Sequence, residues 1–121
     1  MLSNNKKKGN FGETAASGFL TAKGWNIIEK NYKRGRGEID IIAKSPDGYV
    51  VFVEVKYRTT LKFGMPREAV TTLKKKAVIN AALHFISEHD LQEDMRFDVI
   101  EIFGESNLTI NHIENAFGLN W

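Results

Sequence analysis

Charged side chains lie within two segments that are otherwise rich in isoleucine, valine and phenylalanine, residues 37–44 and 49–58. Such segments are typical of strands. The Pro-Asp-Gly sequence at residues 46–48 is a turn signal, because proline presets φ and glycine accepts a positive φ. We therefore predict an antiparallel hairpin. A hairpin of this length can bring Asp40 on its first strand beside Glu54 on its second.

Two adjacent carboxylates repel each other unless a cation lies between them. Mg²⁺ or Mn²⁺ meets this need, because such ions prefer hard oxygen ligands and often take only one or two protein carboxylates. Lys56 shares a strand face with Glu54, where a lysine can orient an attacking water or neutralise charge on a phosphate. Asp40, Glu54 and Lys56 thus predict metal-assisted phosphodiester hydrolysis. The alternative is that these side chains, with Glu38, form cross-strand ion pairs on a solvated face.

A helix predicted over residues 12–23 carries a further carboxylate near its start. Its apolar residues recur with helical spacing, and Gly24 is a natural stop. Glu13 lies in the first turn, where the helix dipole favours a negative charge. Glu13 also lies on the packed side of the helix, so it can reach the metal site if the helix crosses the hairpin. Both interpretations stay open.

Basic residues lie on both sides of the hairpin in the sequence. Lys33, Arg34 and Arg36 belong to a turn that we predict to be flexible, and this turn either contacts phosphates or is merely solvated. Lys74 falls within the apolar stripe of a helix predicted over residues 66–88. A lysine on such a stripe either extends outward or meets a buried anion. We predict that Lys74 faces the site or a DNA phosphate.

The rest of the chain supplies further strands, predicted over residues 25–32, 95–103 and 108–113. The order is helix, three strands, helix, two strands, which indicates an α/β fold with a central mixed five-stranded sheet flanked by helices. Asp98 on the fourth strand is either a further acidic contributor to the site or a paired structural carboxylate, and we favour the second interpretation. Residues 1–10 are predicted to be a disordered basic tail, and residues 11–121 to be a single domain.

Composition excludes several classes of site. The 121-residue chain has no cysteine, and its three histidines are scattered, so disulfides and zinc sites are not expected. No apolar run approaches the ~20 residues that a membrane-spanning helix needs, and no signal peptide is recognisable. We expect a soluble cytoplasmic protein with no membrane partner. The net charge of +2 mildly favours a polyanionic partner.

The element order, with Asp40 on the second strand and Glu54-x-Lys56 on the third, resembles the αβββαβ core of the PD-(D/E)xK nuclease superfamily, the restriction-endonuclease-like fold. More closely, nearly the whole chain resembles the YraN family. This bacterial family is uncharacterised, predicted to be endonuclease-like, and distantly related to archaeal Holliday-junction resolvases. The matching residues are Gly12, Glu13, Ala16, Asn31, residues 37–40 and 52–56, Arg58, Gly64, Val70, Lys74 and residues 96–99.

This resemblance implies roles for individual residues. Asp40 and Glu54 match metal-binding positions, Lys56 matches the catalytic lysine, and Glu13 matches the first-helix acid of the resolvase-like branch. The implied cofactor is Mg²⁺ or Mn²⁺, and the implied partner is nucleic acid, with Arg58 among the residues that contact it. Resolvase-like enzymes act as dimers, so a homodimer is an option. Ile39 stands where the superfamily name has proline, a position that carries no chemistry.

Three functions are compatible with these observations. The leading hypothesis is a divalent-metal-dependent endonuclease acting on DNA, in particular on branched or damaged DNA. The second is a catalytically weak nucleic-acid-binding module of nuclease descent that acts within a DNA-processing complex. The third is a structural or interaction protein whose charged hairpin holds only ion pairs.

Overall fold

A computed structural model describes the backbone of residues 4–58, 72–104 and 106–118, with side chains from residue 11 onward. The order of elements in these ranges is the predicted one. It comprises α1 (Asn4–Ala22), β1 (Asn26–Arg34), β2 (Gly37–Lys44), β3 (Val50–Arg58), α2 (Thr72–His89), β4 (Met95–Phe103) and β5 (Thr109–Phe117).

The five strands form one sheet in chain order, β1-β2-β3-β4-β5. Neighbouring strands are antiparallel except β3 and β4, which run parallel. A parallel pair needs a crossover connection, and α2 lies within that connection. The structure therefore confirms the predicted α/β fold with a mixed five-stranded sheet flanked by helices.

The two helices pack on opposite faces of the sheet, which we call the α1 face and the α2 face. On the α1 face, Leu20 clusters with Val51 and Val53 of β3. On the α2 face, Phe85 clusters with Phe52 of the same strand. Strand β3 is therefore buried on both faces, which explains why it is apolar at consecutive positions. Carboxylates on this strand and its neighbours are thereby held in a poorly solvated layer.

The predicted hairpin between β2 and β3 is present. The backbone N–H of Gly48 donates to the carbonyl of Ser45 at 3.0 Å, and the N–H of Ser45 donates to the carbonyl of Tyr49 at 2.9 Å. Gly48 has a φ of +93°, a conformation that favours glycine. This turn sets the register, in which Ile41 faces Val53.

Some element boundaries differ from the prediction. Helix α1 begins at Asn4, within the segment predicted as a disordered tail and well before the predicted start at residue 12. Adding turns to an existing helix is much easier than nucleating one, and lysines are good helix formers. Strand β5 runs to Phe117 rather than ending at residue 113, because the Phe117 ring stacks on Phe97 with centroids 5.0 Å apart. The predicted start of the second helix at residue 66 lies outside the described residues.

Candidate functional site

Asp40 lies where strands β2 and β3 stop pairing. The last backbone pair is Ile41 with Val53, and continuing that register by one position puts Asp40 opposite Glu54. The Asp40 carboxylate oxygen Oδ2 accepts a hydrogen bond from the backbone N–H of Val55 at 2.8 Å. The side chain thus takes the place that a carbonyl of β2 would otherwise occupy. Backbone pairing of β2 with β3 therefore ends at Ile41 and Val53.

Glu54 is a buried carboxyl group, with 2% of its surface exposed. Burial raises its pKa to about 9, and the hydrogen bond and negative charge of Asp40 act in the same direction. The nearby charges of Lys74 and Lys56 act against this shift. Without a divalent cation, Glu54 therefore carries a proton near neutral pH. Its Oε2 atom has no hydrogen-bond partner within the described part of the chain.

Lys74 connects helix α2 to this carboxyl pair. Its Nζ lies 2.7 Å from Glu38 Oε1 and 3.5 Å from Glu54 Oε1. Burial acts to lower the pKa of Lys74, but the negative charge of Glu54, the hydrogen bond to Glu38 and the charge of Asp40 outweigh it and raise that pKa. In turn, the hydrogen bond from Lys74 lowers the pKa of Glu38. The structure thus places Lys74 at the site, one of the two positions predicted for it.

Lys56 lies two residues beyond Glu54 on β3. Its charge acts on Glu54 and on Glu38, which places it within electrostatic range of both carboxylates. The predicted set of Asp40, Glu54 and Lys56 is therefore brought together by the hairpin. Ion pairs are part of the arrangement, as the alternative interpretation had it, but Glu54 is buried rather than on a solvated face.

Glu13 approaches from helix α1. Burial raises the pKa of Glu13, and the negative charges of Asp40 and Glu38 add to this effect, whereas a side-chain hydrogen bond from Asn31 opposes it. The carboxylate of Glu13 therefore lies within electrostatic range of Asp40 on the α1 face. Acidic groups from α1, β2 and β3 lie in one region, and the ammonium group of Lys74 on α2 lies beside Glu38 and Glu54.

The side chains of β2 do not alternate strictly along the strand. Ile39 and Ile42 both belong to the cluster on the α2 face, whereas Ile41 and Ala43 belong to the cluster on the α1 face. Strict alternation is therefore interrupted between Ile39 and Ile41. The break in alternation falls next to Asp40, where the strand leaves its partner β3.

Asp40 and Glu54 suit a divalent cation. Among the described residues, no group of three or more acidic or histidine side chains could hold a metal ion as a complete set of ligands. A pair of carboxylates is sufficient for Mg²⁺, which usually keeps several waters and shares substrate phosphate oxygens. A cation would give Oε2 of Glu54 a partner. It would also displace the proton that the pair shares. The residues present therefore fit the predicted cofactor.

The basic turn between β1 and β2 enters β2 at Gly37, which packs against α2. A Cβ atom at Gly37 would lie 2.5 Å from backbone atoms of Ala77 and Ala81. Arg34 Nε lies 2.9 Å from Glu88 Oε2. Glu88 and Lys74 are separated by about 20 Å of helix, so Arg34 is directed away from the carboxyl pair.

Lys33 and Arg36 in the same turn are exposed, and the charge of Lys33 acts on Glu38. Both the phosphate-binding and the solvated interpretations of these two residues stay open.

Arg58 is half-buried at the end of β3, and its carbonyl accepts a hydrogen bond from the backbone N–H of Gly104 at 3.1 Å. Gly64 and Val70, which carry part of the family resemblance, lie outside the described residues.

Asp98 is a structural carboxylate, as predicted. It is fully buried and accepts hydrogen bonds from the Arg96 guanidinium at 2.9 and 3.1 Å and from the Asn115 backbone N–H at 3.0 Å. His112 Nε2 lies 2.7 Å from its Oδ2. These contacts lower the pKa of Asp98 despite its burial. Asp98 therefore joins β4 to β5 and is not part of the carboxyl pair.

Glu101 is a buried carboxylate that the sequence analysis missed. It lies beside Lys56 in the parallel register of β3 and β4, and its Oε1 accepts a hydrogen bond from Asn111 Nδ2 at 2.9 Å. Its only signal in the sequence is a charge between Ile100 and Ile102. Its neighbour Lys56 is evident only once the parallel pairing is known. Asn31 was noted in the family resemblance but was given no role.

Comparison with known proteins places the chain among bacterial relatives. The model of a family described as the uncharacterised protein family UPF0102 matches residues 12–102. A UPF0102 protein of Clostridioides difficile (strain 630) is 50% identical over 115 residues, covering 94% of this chain and 99% of the relative. A UPF0102 protein of Caldicellulosiruptor bescii is 47% identical over 119 residues, covering 94% and 99%.

A comparison of structures finds Pyrococcus furiosus SfsA, solved in complex with Ca²⁺. The TM-score is 0.41 and the sequence identity 14%, and the match covers 91% of this chain and 63% of SfsA. The chain therefore spans less than two thirds of that neighbour. Within the described ranges, neither helix combines the length and apolar character needed to cross a membrane.

Proposed function

Since this chain belongs to the UPF0102 family, the same family as YraN, we propose that it is a divalent-metal-dependent nuclease that hydrolyses phosphodiester bonds in DNA. The observation that carries the proposal is the pairing of Asp40 with the buried Glu54 where β2 and β3 separate. A buried carboxyl pair costs stability, and the described structure gives Glu54 Oε2 no partner that would offset this cost. A bound divalent cation would offset this cost.

Asp40 and Glu54 would hold Mg²⁺ or Mn²⁺. When bound, such an ion polarises a phosphoryl oxygen and makes a coordinated water more acidic. Lys56 would orient the attacking water or neutralise the charge that develops on the phosphate. Glu13 would orient groups around the ion from the α1 face. Lys74 would contact a phosphate oxygen after exchanging its ion pair with Glu38, a role that an ammonium group fills as a point charge.

Other basic residues would contact the DNA backbone outside the reacting phosphate. Lys33 and Arg36 are exposed on the turn that leads into β2, and Arg58 lies at the end of β3. Such contacts fix the position of DNA without reading its sequence. The element order and the Asp40, Glu54-x-Lys56 pattern support membership of the PD-(D/E)xK superfamily. The resemblance to resolvases would favour branched DNA as substrate and a homodimer.

A second candidate function is a nucleic-acid-binding module of nuclease descent with little activity. The positions of Lys74 Nζ beside Glu38 and Glu54 favour it, because an ammonium group next to these carboxyl groups competes with a metal ion. This candidate retains the fold and the DNA contacts. It requires no metal-dependent cleavage.

Cleavage of a labelled panel of four-way junctions, flaps, duplexes and single strands distinguishes the two. We expect the wild type to cut at least one substrate with Mg²⁺ or Mn²⁺, and Asp40→Asn to lose about a hundredfold or more of that rate, since metal catalysis supplies several kcal/mol. Asp94→Asn is the matched control, because Asp94 is exposed and lies beside the other end of β3. Salt-sensitive DNA binding without any cleavage would instead support the binding module.

A further inference from the structure

Phe11 presents an aromatic ring at the surface of the protein. Its side chain is 42% exposed, and the other large hydrophobic side chains that are exposed in the described part of the chain are aliphatic: Ile28, Leu73 and Leu83. Single exposed aliphatic side chains are ordinary in folded proteins. An aromatic ring differs from them because its flat face stacks on other planar groups. Phe11 is therefore the member of this set that suits a planar ligand.

The end of strand β3 holds the Phe11 ring in place. The ring makes a T-shaped contact with Tyr57, with centroids 5.3 Å apart and planes inclined at 68°. The Tyr57 hydroxyl donates a hydrogen bond to the carbonyl of Gly104 at 2.8 Å, which restricts the tyrosine ring in turn. The Phe11 ring is thus supported before any ligand binds, so that little conformational entropy would be lost when a ligand stacks on it.

Close packing of α1 on β3 sets the position of Phe11 relative to the carboxyl pair. A Cβ atom at Gly12 would lie 3.0 Å from the Cβ of Tyr57 and 3.6 Å from Cγ1 of Val55, so the helix backbone lies directly on this strand. Tyr57 lies three residues beyond Glu54 on β3, which is about 10 Å of strand. A base close to a phosphate bound at the carboxyl pair would therefore be within reach of Phe11.

The charges around this ring suit a nucleotide. Tyr57 lies between Lys56 and Arg58 in β3, so cationic side chains flank the residue on which Phe11 packs. Proteins that bind unpaired nucleotides combine cationic groups, which follow the backbone, with aromatic rings on which the bases stack. Such stacking requires a base that has left its own stack. A fully paired duplex offers no base of this kind.

We propose that Phe11 is a stacking platform for an unpaired base close to the cleavage site, so that the protein prefers DNA with an unpaired base over fully paired duplex. This inference rests on the proposed nuclease function and names a feature of its substrate. Phe11 would touch the base and neither the metal ion nor the reacting phosphate. The preference therefore does not depend on metal and can be measured in EDTA.

The test measures, by fluorescence anisotropy in EDTA, the affinity of the full chain for a fully paired duplex and for the same duplex with one bulged base. We expect the wild type to bind the bulged duplex about tenfold more tightly, because stacking of one base on an aromatic ring has an effect of this size. Phe11→Leu should lose most of this preference, because leucine keeps an apolar contact with Tyr57 but has no flat ring. Phe11→Trp should retain the preference.

Leu83→Ala is the matched control. Leu83 is also an exposed hydrophobic side chain, but it lies on α2, so Leu83→Ala should keep the preference of the wild type. A 2-aminopurine base at the bulge reports stacking directly. Its fluorescence should be quenched when the wild type binds and much less when Phe11→Leu binds. Thermal unfolding of each variant, measured alongside, shows whether it is folded, and the quenching by the wild type needs no substitution at all.

Three outcomes would overturn the inference. An unchanged preference in Phe11→Leu, or no quenching by the wild type, would show that the ring does not stack on the base. Equal affinities of the wild type for the two duplexes would show that an unpaired base is not recognised, although DNA binding and the proposed function would stand. A wild type that binds neither duplex would remove the proposed function as well, and this result is distinct because it is the same with both substrates.

Discussion

At the scale of single residues, Glu54 links stability to function. The fold buries the Glu54 carboxyl group beside Asp40, and burial raises its pKa so that the group stays protonated. Lys74 compensates only in part, because it lies 3.5 Å from Glu54 but 2.7 Å from Glu38. A divalent cation between Asp40 and Glu54 would displace the proton and compensate the negative charges of both carboxylates. The stability of the metal-free protein should therefore depend on pH more strongly than the stability of the metal-bound protein.

Stability of the metal-free protein should fall as pH rises above the ordinary pKa of Glu54. Its folded-state pKa is about 9 against an ordinary value of 4.5, so within that window the folded protein binds more protons than the unfolded chain. The free energy of unfolding then decreases with rising pH, by at most about 1.4 kcal/mol for each pH unit. In Glu54→Gln this decrease should be smaller. Urea unfolding in EDTA between about pH 5 and about pH 9 measures it.

The matched control for this experiment is Glu114→Gln, which makes the same change on an exposed carboxylate and should follow the wild type. Saturating Mg²⁺ should flatten the pH dependence of the wild type, because an ion that binds only the folded protein stabilises it. Identical pH dependence in the wild type and in Glu54→Gln would show that Glu54 is not protonated in the folded protein.

At the scale of elements, the site depends on how closely α2 approaches the start of β2. Lys74 can reach Glu38 and Glu54 only because Gly37 lets the helix backbone lie against the strand, where any Cβ atom would be 2.5 Å from it. The close approach is a packing requirement that also sets the position of an ammonium group. The absence of a side chain at Gly37 is therefore needed both for the packing of α2 on β2 and for the position of Lys74.

Gly37→Ala should destabilise the protein by about 1–3 kcal/mol, because rigid backbone atoms of α2 must shift to admit the methyl group. Gly18→Ala is the matched control, since nothing lies within 4 Å of its would-be Cβ and alanine is favoured over glycine in a helix by up to about 1 kcal/mol. The two substitutions should therefore change the urea unfolding free energy with opposite signs. A neutral Gly37→Ala would mean that α2 is not held against β2 as described.

At the scale of the whole molecule, the sheet brings together groups from both of its faces. Helix α1 supplies Glu13 and helix α2 supplies Lys74, although the two helices pack on opposite faces. The charge of Asp40 acts on both side chains, and Asp40 lies where the backbone pairing of β2 with β3 ends. The net charge is only +2, so the proposed DNA binding would depend on where the basic residues lie and not on their excess.

DNA binding should weaken as salt increases, because each neutralised phosphate releases condensed counterions. In EDTA, Arg36→Ala should reduce the slope of log affinity against log salt by about one. Lys44→Ala is the matched control, because Lys44 lies at the far end of β2 and pairs with Glu93 at 3.5 Å. Fluorescence anisotropy across a salt series gives both slopes. Equal slopes in the wild type and in Arg36→Ala would place the DNA elsewhere on the surface.

Local patterns of the sequence were sufficient to predict every described helix and strand, as well as the Asp40 and Glu54 pair. They predicted boundaries less well, because the ends of α1 and β5 depend on helix propagation and on the contact of Phe117 with Phe97. They missed Glu101 beside Lys56, because that neighbour follows from the parallel register of β3 and β4.

The sequence alone determined the hairpin and its charged residues, because side-chain periodicity and turn chemistry act over a few neighbouring positions. Only the tertiary structure decided that Glu54 is buried, that Lys74 reaches it from α2, and that Glu13 of α1 lies within electrostatic range of Asp40. These facts depend on groups far apart in the chain and on the separation of two strands, which no local pattern encodes. Burial then determines the charge state of Glu54, since a carboxyl group removed from water keeps its proton until a cation compensates it.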